Sequence, residues 1–225
     1  MKLLRFFFYH FYHAFAWTYD LVSAVVSVGR WREWVLTALP YLDGPRVLEI
    51  GHGPGHLQAA MREKGLVAFG LDESRQMGRM AFARLTRVGL PVALTRGQAQ
   101  FLPFGTERFD NVVATFPTEY IFDLRTLEEI YRVLRSPDPT SGHPGGKLVV
   151  VPIAWIGGEN LQDRAAAWLF RVTHQGSQIT ETLKDRIKVP FAAAGFAVRV
   201  ETVEKRSSTV LVVVAEKLAQ TESLR

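Results

Sequence analysis

The stretch Val47–Gln58, VLEIGHGPGHLQ, sets the tightest limit on the fold. A short apolar run, Val47–Ile50, leads straight into Gly51, Gly53 and Gly55, and a helix-compatible run follows. Glycines at alternate positions between a strand and a helix let the backbone turn sharply and let a ligand approach it closely. The loop is not a P-loop, since no Gly-Lys-Ser/Thr follows. It also departs from the G-x-G-x-x-G dinucleotide pattern, because His56 stands where the third glycine belongs. Glu49, two residues before the first glycine, suits a ligand with a cationic group better than a pyrophosphate. Asp72 ends the next apolar run, about twenty residues on, where an acid can accept hydrogen bonds from ribose hydroxyls. Together the two acids read as a site for a ribonucleoside that lacks a 2′-phosphate. Taken singly, the loop is a tight βα turn and Asp72 a helix N-cap ahead of Ser74–Arg75.

The rest of the chain repeats the strand–helix alternation. Strands are predicted at Arg46–Ile50, Val67–Leu71, Pro91–Thr95, Asp110–Thr115 and Lys147–Ile153. Helices are predicted at Pro54–Lys64, Ser74–Val88 and Leu124–Leu134. This order implies a parallel sheet with helices on both faces, an α/β doubly wound arrangement. The final FAVRVETVEKRSSTVLVVVAEK reads as an antiparallel β-hairpin around a polar turn. The expected domain spans residues 43–225, preceded by an aromatic-rich helical extension over 1–42. Residues 155–194 form an insertion of helical pattern after the fifth strand, on the edge where open α/β sheets bind ligands.

Composition is that of a globular chain: 225 residues, 48% hydrophobic and 22% charged. No cysteine is present, which excludes disulfides, thiolate metal sites and cysteine nucleophiles. No metal is expected, and a cysteine-free chain fits a cytoplasmic protein. The formal charge of +5 points to an anionic partner or to a plain solvated surface. No block of like charges occurs, which weakens the nucleic-acid version. At the N-terminus, the run without Asp, Glu, Lys or Arg extends only from Phe6 to Tyr19, too short to span a bilayer. As a helix, it sets Lys2, Arg5, Tyr9 and His13 in one narrow polar stripe, and Phe6, Phe7, Phe8, Phe11 and Phe15 cover the rest. Residues 1–15 therefore lie in a membrane interface, cover a greasy pocket, or pack into a core.

The motifs also carry a resemblance. Glu49-x-Gly51-x-Gly53-x-Gly55 followed by Asp72 resembles the class I S-adenosylmethionine-dependent methyltransferases (methyltransferase type 11). RGQAQFLPFGTERFDNVVATF is similar to their GDAxxLPFxxxxFDxVxxxx stretch, and LEEIYRVLRSPDPTSGHPGGKLVVV to LxEIxRVLxPGGxLxxx. FAWTYDLVSAVVSVGRWREW is similar to the entry segment of the ubiquinone/menaquinone-biosynthesis group. The likeness runs from about residue 15 to 153 in the family's order. It implies a Rossmann-like, seven-stranded, mostly parallel sheet ending in an antiparallel hairpin.

The same likeness implies roles. Gly51, His52, Gly53 and Gly55 would pass close to the methionine part of S-adenosyl-L-methionine, with Glu49 facing its amino group. Asp72, beside Glu73, would hold the ribose diol. Met77, Gln98 and Ala99 would surround the adenine, and Thr115, Phe116 and Pro117 would lie beside the reactive methyl. Tyr19 would close over the cofactor, which leaves as S-adenosyl-L-homocysteine. Three departures stand out. Gln98 replaces the family's acid. Ser136–His143 are inserted as a surface loop. AWIGGENLQDRAAAWLFRVTHQ replaces the quinone family's substrate segment.

Methyl transfer from a sulfonium is an in-line displacement that depends on alignment and exclusion of water. A general base is needed only if the acceptor must lose a proton, and Glu119, Tyr120 and His174 are the candidates. The expected acceptor is a small lipophilic molecule: a quinone precursor, a phospholipid headgroup or a similar amphiphile. Trp155, Trp168 and Phe170 would help to wall its pocket. The competing readings are a non-catalytic protein of the same fold and a nucleic-acid methyltransferase. TFPTEY after the fourth strand, in place of Asn/Asp-Pro-Pro-aromatic, speaks against the latter.

Overall fold

The computed structural model describes residues 30–140, 142, 144–156, 181–205 and 208–218. Eight strands form one sheet: β1 (Arg46–Ile50), β2 (Val67–Asp72), β3 (Leu94–Arg96), β4 (Asn111–Thr115), β5 (Lys147–Val151), β6 (Ala154–Ile156), β7 (Phe196–Lys205) and β8 (Ser208–Lys217). The parallel part runs β3-β2-β1-β4-β5. Antiparallel β8 follows, with β7 beyond it as the second arm of the hairpin. β7 pairs along the whole of β8, so β5 and β6 must share the opposite side of that strand. β6 is thus the continuation of β5 past Pro152 and Ile153. Counted as one rail, they make the sheet seven-stranded, as expected. The break has a cause: proline has no N–H to give to the ladder, and Leu211 N–H reaches across it to the Ile153 carbonyl at 3.0 Å.

The described helices are α1 (Trp31–Leu36), α2 (His56–Glu63), α3 (Arg75–Arg87), α4 (Leu124–Val133) and α5 (Glu181–Ala193). α3 starts where Ser74 Oγ accepts the Met77 N–H, and α4 where the Asp123 carboxylate accepts the Arg125 N–H. Ser74, not Asp72, is therefore the N-cap; the Asp72 carboxylate is left for other partners. The helical reading of Trp155 onward shifts too. Trp155 belongs to β6, and regular helix is described from Glu181.

Parallel strands covered on both faces must be apolar at nearly every position. β5 is, apart from Lys147, and β1 and β4 carry apolar residues at Val47, Leu48, Ile50 and Val112–Ala114; alternate residues feed two cores. Leu48, Val112 and Val150 meet α4 on one face, while Val47, Val113 and Val149 meet α1 and α2 on the other. Residues 31–42 take part in the second core. Trp34 is 1% exposed, and its indole Nε1–H donates to Ser208 Oγ at 2.9 Å across 174 positions of sequence. Phe196, the first residue of the hairpin, packs on Tyr131 of α4.

Gly55 is the hinge between β1 and α2. Its φ is +82°, and a Cβ there would lie 2.9 Å from the Ala81 Cβ of α3. Gly55→Ala combines a left-handed backbone with an overpacked helix contact, so a loss of about 2–4 kcal/mol is expected in urea denaturation. A loss below about 0.5 kcal/mol would show that α2 and α3 separate freely.

Candidate functional site

The site lies at the carboxyl edge of β1, β2 and β4, where the order of strands places the crevice of a doubly wound sheet. Glu49, the residue before last in β1, is 1% exposed. Its Oε2 accepts a hydrogen bond from Gln58 Nε2 at 2.9 Å, and the same amide nitrogen donates to the Phe69 carbonyl at 3.0 Å. Among the described residues no cation pairs with Glu49. Burial pushes its pKa up to about 8, with the Asp72 carboxylate adding to the rise and the Gln58 hydrogen bond opposing it. A buried acid that lacks a cation is what a ligand's ammonium group would complete.

The glycine loop is held against Asp72. Asp72 Oδ2 accepts the Gly53 N–H at 2.9 Å, and Oδ1 accepts the Ser74 N–H at 2.8 Å. Each oxygen keeps a lone pair for a further donor. Gly51, at φ +69°, comes so close to Tyr120 that a Cβ would lie 2.6 Å from the phenol oxygen. His52 points inward, 4% exposed, with Nδ1–H donating to the Gly53 carbonyl at 2.7 Å. Burial lowers its pKa and favours the neutral ring, against the pull of the Asp72 charge.

The other expected residues fall into three groups. Glu49, Gly51, His52, Gly53 and Thr115 line one narrow cleft, together with Trp31. Glu73 and Gln98 meet at the rim, where Gln98 Nε2 donates to Glu73 Oε1 at 3.1 Å, while Met77 and Ala99 are buried behind them. Phe116 and Pro117 follow β4 and are half-buried. Phe116 has φ +49°, one of two non-glycine residues with positive φ among those described. That turn lets its N–H reach the Val151 carbonyl at 2.7 Å and sets its ring 4.4 Å from Trp31. Strain of this kind in a bulky residue marks a position the surroundings enforce.

Of the base candidates, Glu119 is exposed at the start of a 3-10 turn just past Pro117. Tyr120 donates its hydroxyl proton to the Ile50 carbonyl at 3.3 Å. Burial, with the Asp72 and Glu49 carboxylates nearby, drives its pKa far above the usual phenol value. Tyr120 is therefore a neutral donor that seats the glycine loop, and a poor acceptor of protons. Tyr19, His174, Trp168, Phe170 and residues 1–15 lie outside the described residues.

Two site residues escape sequence reasoning. Gln58 is a fully buried amide on the apolar side of α2, between Leu57 and Met61. A polar residue in such company was the available signal. Trp31 stands three residues before Trp34 in GRWREW, and only the fold shows that one indole fills the core while the other walls the cleft.

Comparisons with known proteins bear on the fold and the family. Residues 47–137 match the methyltransferase domain family. The chain is 30% identical over 150 residues to a ubiquinone/menaquinone biosynthesis C-methyltransferase, UbiE, of Blochmanniella floridana, covering 62% of this chain and 56% of that protein. It is 29% identical over 161 residues to a demethylmenaquinone methyltransferase of Thermobifida fusca, covering 68% and 64%. The chain thus spans less than two thirds of the length of these curated relatives. A SAM-dependent methyltransferase structure from Methanosarcina mazei shares the fold, with a TM-score of 0.56, 21% identity, and coverage of 82% of this chain and 98% of that one. The chain is similar to S-adenosylmethionine-dependent methyltransferases in sequence over this domain and shares their fold. The cofactor of that class is S-adenosylmethionine, and the donors and acceptors found here fit it.

Proposed function

We propose that the chain transfers a methyl group from S-adenosylmethionine to a small lipophilic acceptor. The observation that carries this reading is the pair of acids. Among the described residues Glu49 is buried without a cation, and Asp72, with spare lone pairs, is tied to the glycine loop. A nucleoside with a charged amino-acid tail is complementary to both at once. When bound, the cofactor supplies an electrophilic methyl group on a positive sulfur.

The chain's own residues then bind and orient. Glu49 holds the ammonium, and Gln58 holds Glu49. Asp72 accepts from the ribose, with Glu73 and Gln98 at the adenine rim. Trp31, Phe116 and Thr115 wall the reacting edge and exclude water, so that alignment supplies most of the rate. Glu119, exposed just past Pro117, is our candidate to take a proton from an acidic acceptor. The aromatic wall at the cleft supports a lipophilic acceptor, and so do the quinone-related names of the relatives. A contact of residues 1–15 with a membrane and a cytoplasmic location belong to the same proposal. Among the described residues, no helix is long and apolar enough to cross a membrane.

Calorimetry tests the reading directly. S-adenosylhomocysteine is expected to bind and NAD is not; failure of S-adenosylhomocysteine to bind sinks the proposal. A methyl-transfer screen over quinones, phospholipids and small phenols then assigns the acceptor class, and turnover only with water-soluble acceptors would overturn the lipophilic part.

A further inference from the structure

The positive charge of this chain is not spread over its surface. Residues 75–96 contain Arg75, Arg79, Arg84, Arg87 and Arg96 and not one Asp, Glu or Lys, a formal excess equal to that of the whole chain, +5. The segment comprises α3, the loop that follows and β3, so it forms one edge of the sheet. Arg84 is engaged, donating to the Pro54 carbonyl at 2.7 Å, and Arg96 donates to the Glu73 carbonyl at 2.9 Å. Arg75, Arg79 and Arg87 are exposed and, among the described residues, meet no acid.

The same edge exposes apolar side chains. Phe82 is 55% exposed, Val88 54% and Val92 38%. Arg75, Arg79 and Phe82 fall at i, i+4 and i+7 on α3 and so share one face of the helix. That face and Val92 border a groove of about 740 Å³ that runs between α3 and β3 up to Asp72 and His52. Unpaired guanidinium groups around exposed aromatic and aliphatic side chains form the pattern of a surface that sits in a lipid headgroup layer. The charges meet anionic headgroups, and the apolar side chains enter the acyl boundary.

We propose that the α3–β3 edge docks on an anionic membrane surface. Charge complementarity selects the partner, and the exposed Phe82, Val88 and Val92 favour lipid over nucleic acid. A nucleic acid would leave the two valines without stacking or hydrogen-bonding partners. The proposal does not depend on the identity of the methyl acceptor, and it rests on residues 75–96 alone.

Vesicle sedimentation of the full chain is the test. The chain is expected to bind phosphatidylcholine vesicles containing about one third phosphatidylglycerol, to bind pure phosphatidylcholine far more weakly, and to be released by salt. The Arg75→Gln/Arg79→Gln double variant should lower the partition coefficient about thirtyfold. Phe82→Ser should lower it as well. Calorimetry with S-adenosylhomocysteine serves as the control for folding and should be the same in parent and variants. Equal vesicle binding by parent and double variant, or equal binding to charged and neutral vesicles, overturns the proposal. Arginine-dependent retention of a single-stranded oligonucleotide without vesicle binding overturns it in favour of nucleic acid.

Discussion

Glu49→Gln is expected to stabilise the cofactor-free chain at alkaline pH and, at the same time, to weaken its hold on S-adenosylhomocysteine. The carboxyl group titrates near 4.5 in an ordinary setting and near 8 in the fold. Between those values the folded chain keeps a proton that the unfolded chain has released. Stability therefore falls as pH rises through that window, and the loss is complete above the upper value. At about 1.4 kcal/mol for each pH unit, the penalty amounts to several kcal/mol. Glutamine is neutral throughout, and its carbonyl still accepts from Gln58, so the variant should show no such decline. Urea denaturation at about pH 6 and about pH 9 reads the difference. An equal decline in both proteins would show that Glu49 is already ionised in the fold.

Binding tests the same carboxyl from the other side. A cofactor ammonium stabilises the charged form, so near neutral pH the parent should release about one proton per ligand bound. Calorimetry in two buffers of different ionisation enthalpy measures that release. The Glu49→Gln variant is expected to release none, and to bind on the order of a hundredfold more weakly, the value of a charge-assisted contact in a dry site. Unchanged affinity would remove Glu49 from the site.

Asp72→Ala should have the largest effect on binding. It deletes the partner of the Gly53 N–H as well as the expected partner of the ribose, so the loop loses its anchor along with the ligand. Two charge-assisted hydrogen bonds at about 1.5–3 kcal/mol each predict a fall in S-adenosylhomocysteine affinity of a hundredfold or more. Asp72→Asn should not restore it. One carboxamide oxygen cannot serve both the Gly53 and the Ser74 N–H, and its NH₂ would face a donor. Hydrogen exchange at Gly53 should speed up in both variants. Affinity within about threefold of the parent for the alanine variant would mean that Asp72 shapes the loop without touching ligand.

The alternation of apolar runs placed every parallel strand. β1 agrees end to end, and the others agree to within a few residues; β3 begins at Leu94, three residues later than Pro91, which has no N–H to give to the ladder. The cofactor motif was readable because it is local: three glycines, one preceding acid and one acid at the next strand end lie within about 25 residues and need no long-range contact to be brought together. Asp72 was legible as an acid at a strand end, but the choice between cap and ligand rested on whether Ser74 Oγ took the helix N–H first. Tyr120 looked like a base because the sequence places it just past β4, and it proved to be a buried donor because the fold sets its hydroxyl against the Ile50 carbonyl.

The sequence by itself determined the order of the parallel strands and their helices, the class of fold and a loop suited to a ribonucleoside, since these follow from periodicity and from spacings of a few residues; the particular cofactor came from the family resemblance. Tertiary structure decided the rest. It buried Glu49 with no cation beside it among the described residues and raised its pKa, and it brought Gln58 against that carboxylate. It sent Trp34 into the core and Trp31 to the cleft, and it placed the arginine-rich segment 75–96 at one edge of the sheet. Burial, charge pairing and the direction of a side chain depend on neighbours far away in the chain, and only packing brings those neighbours together.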